Sequence, residues 1–210
     1  MRFADLDAIT VDGYGTLLRL LDPVPSLVGS LARRGIEHDP ELVRSAFAAE
    51  VAYYRPEAVR GRDAESLARL RCDCAGVFLR AAGVELEPEA FVDDFMASIR
   101  FESIPGALEA LESLQHRGLE LAVVSNWDIG LPEHLERIGA DRLFSAIVTS
   151  AEAGAAKPDP AVFRLALERL RVEPGRALHV GDEPEDEQGA AAVGMRFAPA
   201  PLATAFASFS

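Results

Sequence analysis

Asp12 closes the apolar, β-branched run Ala8-Ile9-Thr10-Val11 and is followed by Gly13-Tyr14-Gly15-Thr16. A carboxylate in that place is either the opening residue of a turn, its commonest use before glycine, or a costly buried charge that needs a partner. Two more short apolar runs stop at polar residues: Leu119 to Val124 at Ser125-Asn126, and Ala177 to Val180 at Gly181-Asp182, with Asp186 shortly after. Lys157 opens Lys157-Pro158-Asp159-Pro160, the start of a predicted helix. Gathered together, these residues are an oxygen nucleophile or metal ligand, hydroxyl and amide donors, a cation and an acid pair. Phosphoryl transfer asks for that set: an attacking oxygen, a hard cation on oxygen ligands, and fixed donors for the equatorial oxygens. Plainer readings stand beside it. Asp182 and Asp186 could be a turn residue and a helix N-cap, and Ser125-Asn126 could cap a strand end.

Composition singles out one member of the set. Of the 21 basic residues 20 are Arg and one is Lys157, and Asn126 is likewise the single asparagine. In a chain so biased to arginine, a lone lysine marks a position where a compact ammonium does what a broad planar fork does not. The formal charge of -13 argues against nucleic acid or an anionic membrane as partner, since both are bound through an excess of Lys and Arg. An anionic substrate would therefore need a metal or a placed cation. Asp5 and Asp7 stand where a secretory leader has its apolar core, and no run approaches the ~20 apolar residues of a membrane span, so a cytoplasmic location is expected. Cys72 and Cys74, two apart in a predicted helix, point to different faces, and neither a disulfide nor a zinc site is expected. His179 lies in a predicted strand and reads as a core residue; His38, His116 and His134 read as surface or helix-end residues.

The elements that must position these residues follow from periodicity and caps. After the first strand come four predicted helices. They span Pro23 to Arg34 before Gly35, Pro40 to about Arg55 behind the N-cap Asp39, Asp63 to Ala82 before Gly83, and Pro88 to about Arg100. Tyr53, Tyr54, Arg55, Arg60 and Arg62, around Pro56 and Gly61, form either a mobile substrate-facing segment or a solvated loop. From Ile104 the texture changes to alternating strands and helices: a helix to about Gly118, a strand to Val124, a helix from Leu131 to Ile138, and a strand from Ala146 to Thr149. A helix from Lys157 to about Leu170, a strand from Ala177 to Val180, a helix from Asp186 to Val193 and a strand from Met195 to Ala198 follow. Alternating units of this length imply an α/β, doubly wound parallel sheet, with a helical bundle inserted after its first strand. The expected division is 1–18 and 103–210 as core and 19–102 as insertion. Parallel strands put Asp12, Ser125-Asn126 and Asp182 on one edge whatever their order, within reach of Lys157.

Taken in order, Asp12-Gly13-Tyr14-Gly15-Thr16, Ser125-Asn126, Lys157-Pro158-Asp159-Pro160 and Gly181-Asp182-Glu183-Pro184-Glu185-Asp186 resemble the four motifs of the haloacid dehalogenase superfamily. The insertion resembles the α-helical cap of its subfamily I, and the resemblance covers essentially the whole chain. It implies a Rossmann-like core and a small phosphorylated substrate, with Asp12 as nucleophile and Lys157 offsetting its charge. Thr16, Ser125, Asn126 and Lys157 would bind the phosphoryl group. Mg2+ would be held by Asp12, the backbone carbonyl of Tyr14, Asp182 and Asp186, the last directly or through water. Monomer and homodimer both stay open.

One residue departs from the phosphatase pattern. The position two after the nucleophile usually holds a second Asp, the general acid for the leaving group; here it is Tyr14. A phenol holds its proton too tightly to replace a carboxyl at neutral pH. The family's dehalogenases carry a similar Asp-x-Tyr-Gly-Thr, because a departing halide needs no proton, but they need no metal, and Asp182 and Asp186 beside Asp12 would repel one another without one. The expected activity is thus a Mg2+-dependent phosphatase working through an aspartyl phosphate. The alternatives are a metal-independent 2-haloacid dehalogenase, or a non-catalytic member that binds a phosphorylated ligand. A phosphonate hydrolase using a cap lysine is excluded, because Lys157 is already assigned.

Overall fold

Every residue of the strand Ala8–Val11 is buried. A strand shielded on both faces belongs in the middle of a helix-covered sheet. The structure, a computed structural model, describes residues 3–206. In chain order these form β1 (Ala8–Val11), β2 (Leu18–Leu20), α1 (Val24–Ala32), α2 (Pro40–Glu57), α3 (Ala64–Ala82), α4 (Pro88–Ser98), β3 (Phe101–Ser103), α5 (Ala107–His116), β4 (Glu120–Ser125) and α6 (Leu131–Arg137). Then follow β5 (Ala146–Thr149), α7 (Ser150–Ala153), α8 (Ala161–Leu170), β6 (Ala177–Gly181), α9 (Pro184–Ala192), β7 (Arg196–Pro199) and α10 (Leu202–Ala205).

The main sheet has the order β5-β4-β1-β6-β7, with every neighbouring pair parallel. From β1 the chain fills one side through β4 and β5, then crosses to fill the other through β6 and β7. The direction of winding therefore reverses at β1, and the crevice beyond the carboxyl ends of strands at such a switch point is where open α/β sheets bind ligands. Register brings the motifs level: Val11 lies beside both Val123 and Val180. Alternation does the rest. Ala8, Ala122, Val124, Ala146, Val148 and Ala177 pack in one cluster with Val162, Phe163 and Ala166 of α8 and Ala190 of α9. Thr10 and His179, two residues on from Ala8 and Ala177, face the same way.

The chain separates into two compact units, one made of residues up to Arg19 and from Glu102 onward, the other of Leu20–Phe101. The second has its own core, in which Phe78, Phe91, Phe95, Leu27, Leu31 and Val43 are fully buried. Phe78 stacks on Phe91 at 5.9 Å between centroids and meets Phe95 at 5.4 Å. Its helices begin and end where capping chemistry directs: the Asp39 carboxylate accepts from the Glu41 N–H at 2.8 Å, and Gly83 takes φ 68° to close α3.

Several details differ from expectation. α2 continues through Pro56 and leads into a 3-10 turn at Ala58–Arg60, because a proline in the last turn forfeits only one hydrogen bond. Tyr53, Tyr54 and Arg55 thus lie in the helix and Arg60 in the 3-10 turn, Gly61 and Arg62 follow in no regular element, and Arg60 pairs with Glu57 at 2.7 Å and Asp73 at 3.5 Å. β2 and β3 form a separate two-stranded sheet, with Arg19 Nε donating to Glu102 at 2.7 Å; three residues each are too few to show a period. α7 and α10 are equally short. α8 starts at Ala161, where Asp159 accepts from its N–H at 2.8 Å, leaving Lys157 in the preceding turn. His134 is buried against Trp127, ring centroids 5.6 Å apart, and is not a surface residue. Cys74 is buried and Cys72 half-buried.

Candidate active site

Asp12 leaves the end of β1 with its N–H donating to Val180 O at 2.9 Å, so its carboxylate starts from a backbone held by the neighbouring strand. It is 5% exposed. Oδ1 accepts from Lys157 Nζ at 2.5 Å and from Ser125 Oγ, at the end of β4, at 3.2 Å. Lys157 reaches this point from its turn through the sheet edge, with Nζ also donating to Val124 O at 3.1 Å and to Asp186 Oδ1 at 2.5 Å. The turn is held by Asn126, whose Oδ1 accepts from Lys157 N–H at 2.7 Å and whose Nδ2 donates to Lys157 O at 3.3 Å.

Two glycines give the remaining acids room. At Gly181 a β-carbon would fall 2.3 Å from Asp186 Cγ, so the Asp186 side chain lies directly across the end of β6. Gly15, at φ +88°, turns the loop under Asp182, whose Oδ2 would be 2.2 Å from a β-carbon. Thr16, fully buried, donates to Asp182 Oδ1 at 3.0 Å. Asp186 is the third helical residue of α9 and reaches back to the Glu183 N–H at 3.1 Å, so it closes a capping box instead of serving as the N-cap itself. Asp12, Asp182 and Asp186 each offer a carboxylate oxygen, all within 4.8 Å of one another.

This crowding shapes the protonation states. Burial works against a charged Lys157, but Asp12 and Asp186 together outweigh it and hold the ammonium's pKa above its ordinary value. Burial also works to raise Asp186, yet the hydrogen bond from His179 and the charge of Lys157 keep it below the usual carboxylate range. Asp12 is pushed up by burial and by the nearby Asp186 charge, against the pull of Lys157. Asp182 is raised by burial first, with Asp186 and Glu183 adding to it against the Thr16 hydrogen bond. His179 is lowered, mainly by burial, against the hydrogen bond it shares with Asp186.

The structure brings Asp12, Ser125, Lys157, Asp182 and Asp186 together. Two residues expected to touch phosphate have their side chains engaged within the protein: Asn126 clamps the backbone of Lys157, and Thr16 supports Asp182. In this arrangement their polar atoms hold other site residues in place. Tyr14 is 45% exposed and stands two residues after Asp12 in sequence. His179 was expected to be mere core; its Nε2 lies 3.0 Å from Asp186 Oδ1. The available signal was that Thr10 and His179 are polar residues in otherwise apolar central strands, where a buried polar group must find a partner.

Against known proteins, the family description "haloacid dehalogenase-like hydrolase" matches residues 6–194. Haloacid dehalogenase-like hydrolase domain-containing protein 3 of Mus musculus is 44% identical over 49% of this chain, a match that spans only 41% of that protein. The Bos taurus counterpart is 36% identical over 90% of this chain and 80% of its own length. A phosphoserine phosphatase of Thermus thermophilus is 39% identical over 51% of this chain and 43% of its length. Among solved structures, a HAD phosphatase from Thermococcus onnurineus superposes with a TM-score of 0.61 at 25% identity, covering 91% of this chain and 85% of that one. L-2-haloacid dehalogenase from Xanthobacter autotrophicus gives 0.66 at 25% identity, covering 96% and 81%.

Proposed function

The chain belongs to the haloacid dehalogenase-like hydrolases, and from that premise we propose that it is a Mg2+-dependent phosphatase of a small phosphorylated metabolite, with Asp12 as nucleophile. One observation carries the choice of phosphate over halide: three carboxylates lie within 4.8 Å of one another, against the single ammonium of Lys157. Three acids against one ammonium leave that cluster with a surplus of negative charge that would repel any anionic substrate. An all-oxygen set of this charge suits a hard divalent cation. Asp12, Asp182, Asp186 and the Tyr14 carbonyl would hold it, and when bound it would draw charge from the phosphoryl oxygens. The relatives named as phosphatases support the same reading.

In this reading a carboxylate oxygen of Asp12 attacks phosphorus and the bond to the alcohol breaks, giving an aspartyl phosphate. Lys157 and Ser125, already on Asp12 Oδ1, would hold the transferred group and balance its charge. Water then adds to the acyl phosphate, freeing inorganic phosphate and regenerating Asp12. The exposed phenol of Tyr14 stands in the place of the general acid, so the leaving group departs largely unprotonated. Residues 19–102 are assigned as the cap and the cytoplasm as the location; no helix among the described residues is long and apolar enough to cross a membrane.

The test is a panel of p-nitrophenyl phosphate and 2-chloropropionate, each with Mg2+ and with EDTA, for wild type and Asp12→Asn. Phosphate release that needs Mg2+ and vanishes in Asp12→Asn is expected. Chloride release that persists in EDTA would instead establish the dehalogenase, the reading that the Asp-x-Tyr-Gly-Thr pattern and the Xanthobacter superposition favour.

A further inference from the structure

The parallel register of β1 and β6 sets Thr10 beside His179, on the face covered by α8 and α9. Both are fully buried, and Phe163 meets the imidazole edge-on at 4.9 Å between centroids. In such surroundings both ring nitrogens need partners, and both have them. Nδ1 is 2.7 Å from Thr10 Oγ1, and Nε2 is 3.0 Å from Asp186 Oδ1. A carboxylate can only accept, so Nε2 carries the hydrogen and the threonine hydroxyl donates to Nδ1. The Asp186 oxygen that accepts from His179 is the one that accepts from Lys157 Nζ, which in turn contacts Asp12 Oδ1. A buried line thus runs from Thr10 through His179, Asp186 and Lys157 to Asp12.

We propose that His179, oriented by Thr10, is a positioning residue for the reaction: it fixes the Asp186 carboxylate and, through it, the Lys157 ammonium against Asp12. The groups it steadies need it. A carboxylate turns easily about its last bond, and lysine carries three rotatable donors on a flexible stem. Apart from Lys157 itself, Asp186 is held in register by the Glu183 N–H on Oδ2 and by His179 on Oδ1. Without the imidazole, Asp186 Oδ1 keeps Lys157 alone as side-chain partner, so the carboxylate that anchors the ammonium beside Asp12 and Val124 O is held less firmly. Rate is sensitive to such drift, since a displacement of about 1 Å can cost ~100-fold. The inference rests on the phosphatase reading, in taking Asp12 as the attacking group and phosphate turnover as the readout.

The experiment compares His179→Gln, which keeps an amide N–H where Nε2 was, with His179→Met, which fills similar space without a donor, and with Thr10→Val. Turnover of p-nitrophenyl phosphate at saturating Mg2+ is read as kcat and KM, and the imidazole tautomer of the wild type is read from its long-range 1H–15N spectrum near neutral pH. We expect hydrogen on Nε2, the nitrogen that faces the Asp186 carboxylate. His179→Met should lose ~100-fold in kcat with little change in KM, and His179→Gln should regain most of it. Thr10→Val should fall between. Hydrogen on Nδ1, or equal turnover in the Gln and Met variants, would overturn the proposal. Should a His179 variant fail to fold, Thr10→Val, which leaves the imidazole in place, carries the comparison, and wild-type kcat in it would overturn the proposal. Failure of the Asp12 reading shows separately, as turnover retained by Asp12→Asn.

Discussion

Replacing Lys157 by Met removes the ammonium from between two buried carboxylates. Its Nζ lies 2.5 Å from Asp12 Oδ1 and 2.5 Å from Asp186 Oδ1, with side-chain exposures of 4%, 7% and 1% for Lys157, Asp12 and Asp186. Loss of one partner from a buried pair costs about 3–5 kcal/mol, because the remaining charge is left without compensation. For a chain of this size each kcal/mol moves Tm by about 2–4 °C, so a fall of ~6–20 °C is expected in metal-free buffer. The sign of the pH effect follows from Asp12. Burial already pushes its carboxyl up while Lys157 pulls it down, so removing Lys157 raises it further. A carboxyl raised in the folded state keeps its proton there to higher pH than in the unfolded chain. Its penalty is absent at low pH and grows as pH rises. Lys157→Met should therefore recover much of its stability on acidification to about pH 5, more than wild type does. Thermal unfolding followed by circular dichroism in EDTA, at acid and at mildly alkaline pH, measures both quantities. A variant that melts within about 2 °C of wild type in alkaline EDTA, where ~6 °C is the least expected, would refute the reasoning.

Gly181→Ala would drive a β-carbon to 2.3 Å from Asp186 Cγ; overpacking of ~1–3 kcal/mol is expected, with a weakened Mg2+ response read by calorimetry. Glu50 on α2 is 4% exposed, and burial raises its carboxyl to about 7 against a hydrogen bond with Cys74. The unfolded chain ionises first, so the penalty grows as pH rises from the ordinary glutamate value of 4.5 to about 7 and is full above that. Glu50→Gln should hence stabilise the protein by up to ~3 kcal/mol above neutrality and hardly at all in acid, by urea titration at the two extremes. On the proposed reading, with Tyr14 at the general acid's position, wild-type kcat/KM should fall steeply as leaving-group pKa rises. Tyr14→Asp should raise alkyl phosphate turnover relative to p-nitrophenyl phosphate by at least ~10-fold; an unchanged ratio would show that the proton comes from elsewhere.

Local chemistry was legible where it is written in neighbouring residues. Asp39-Pro40 and Gly83 marked helix ends because a cap acts within one turn, and the apolar runs ending at Asp12, Ser125 and Asp182 marked strands because a doubly covered strand needs unbroken apolar sequence. The single lysine and single asparagine stood out by composition, and the structure joins them: Asn126 clamps the backbone of Lys157. Three-residue strands and four-residue helices were not legible, since they are shorter than the periods that would reveal them.

By itself, then, the sequence determined the longer elements and the polar residues set at or near their ends: Asp12, Lys157, Asp182 and Asp186. Only the tertiary structure decided how their polar atoms are shared. It turned Thr16 toward Asp182, Asn126 toward Lys157, and His179 from filler into a neighbour of Asp186. The reason is physical. Propensity and capping act over a few residues, whereas the partner of a buried polar group is whichever donor or acceptor strand order and register bring within reach. The Thr10–His179 pairing spans 169 positions of sequence and depends on β6 lying beside β1.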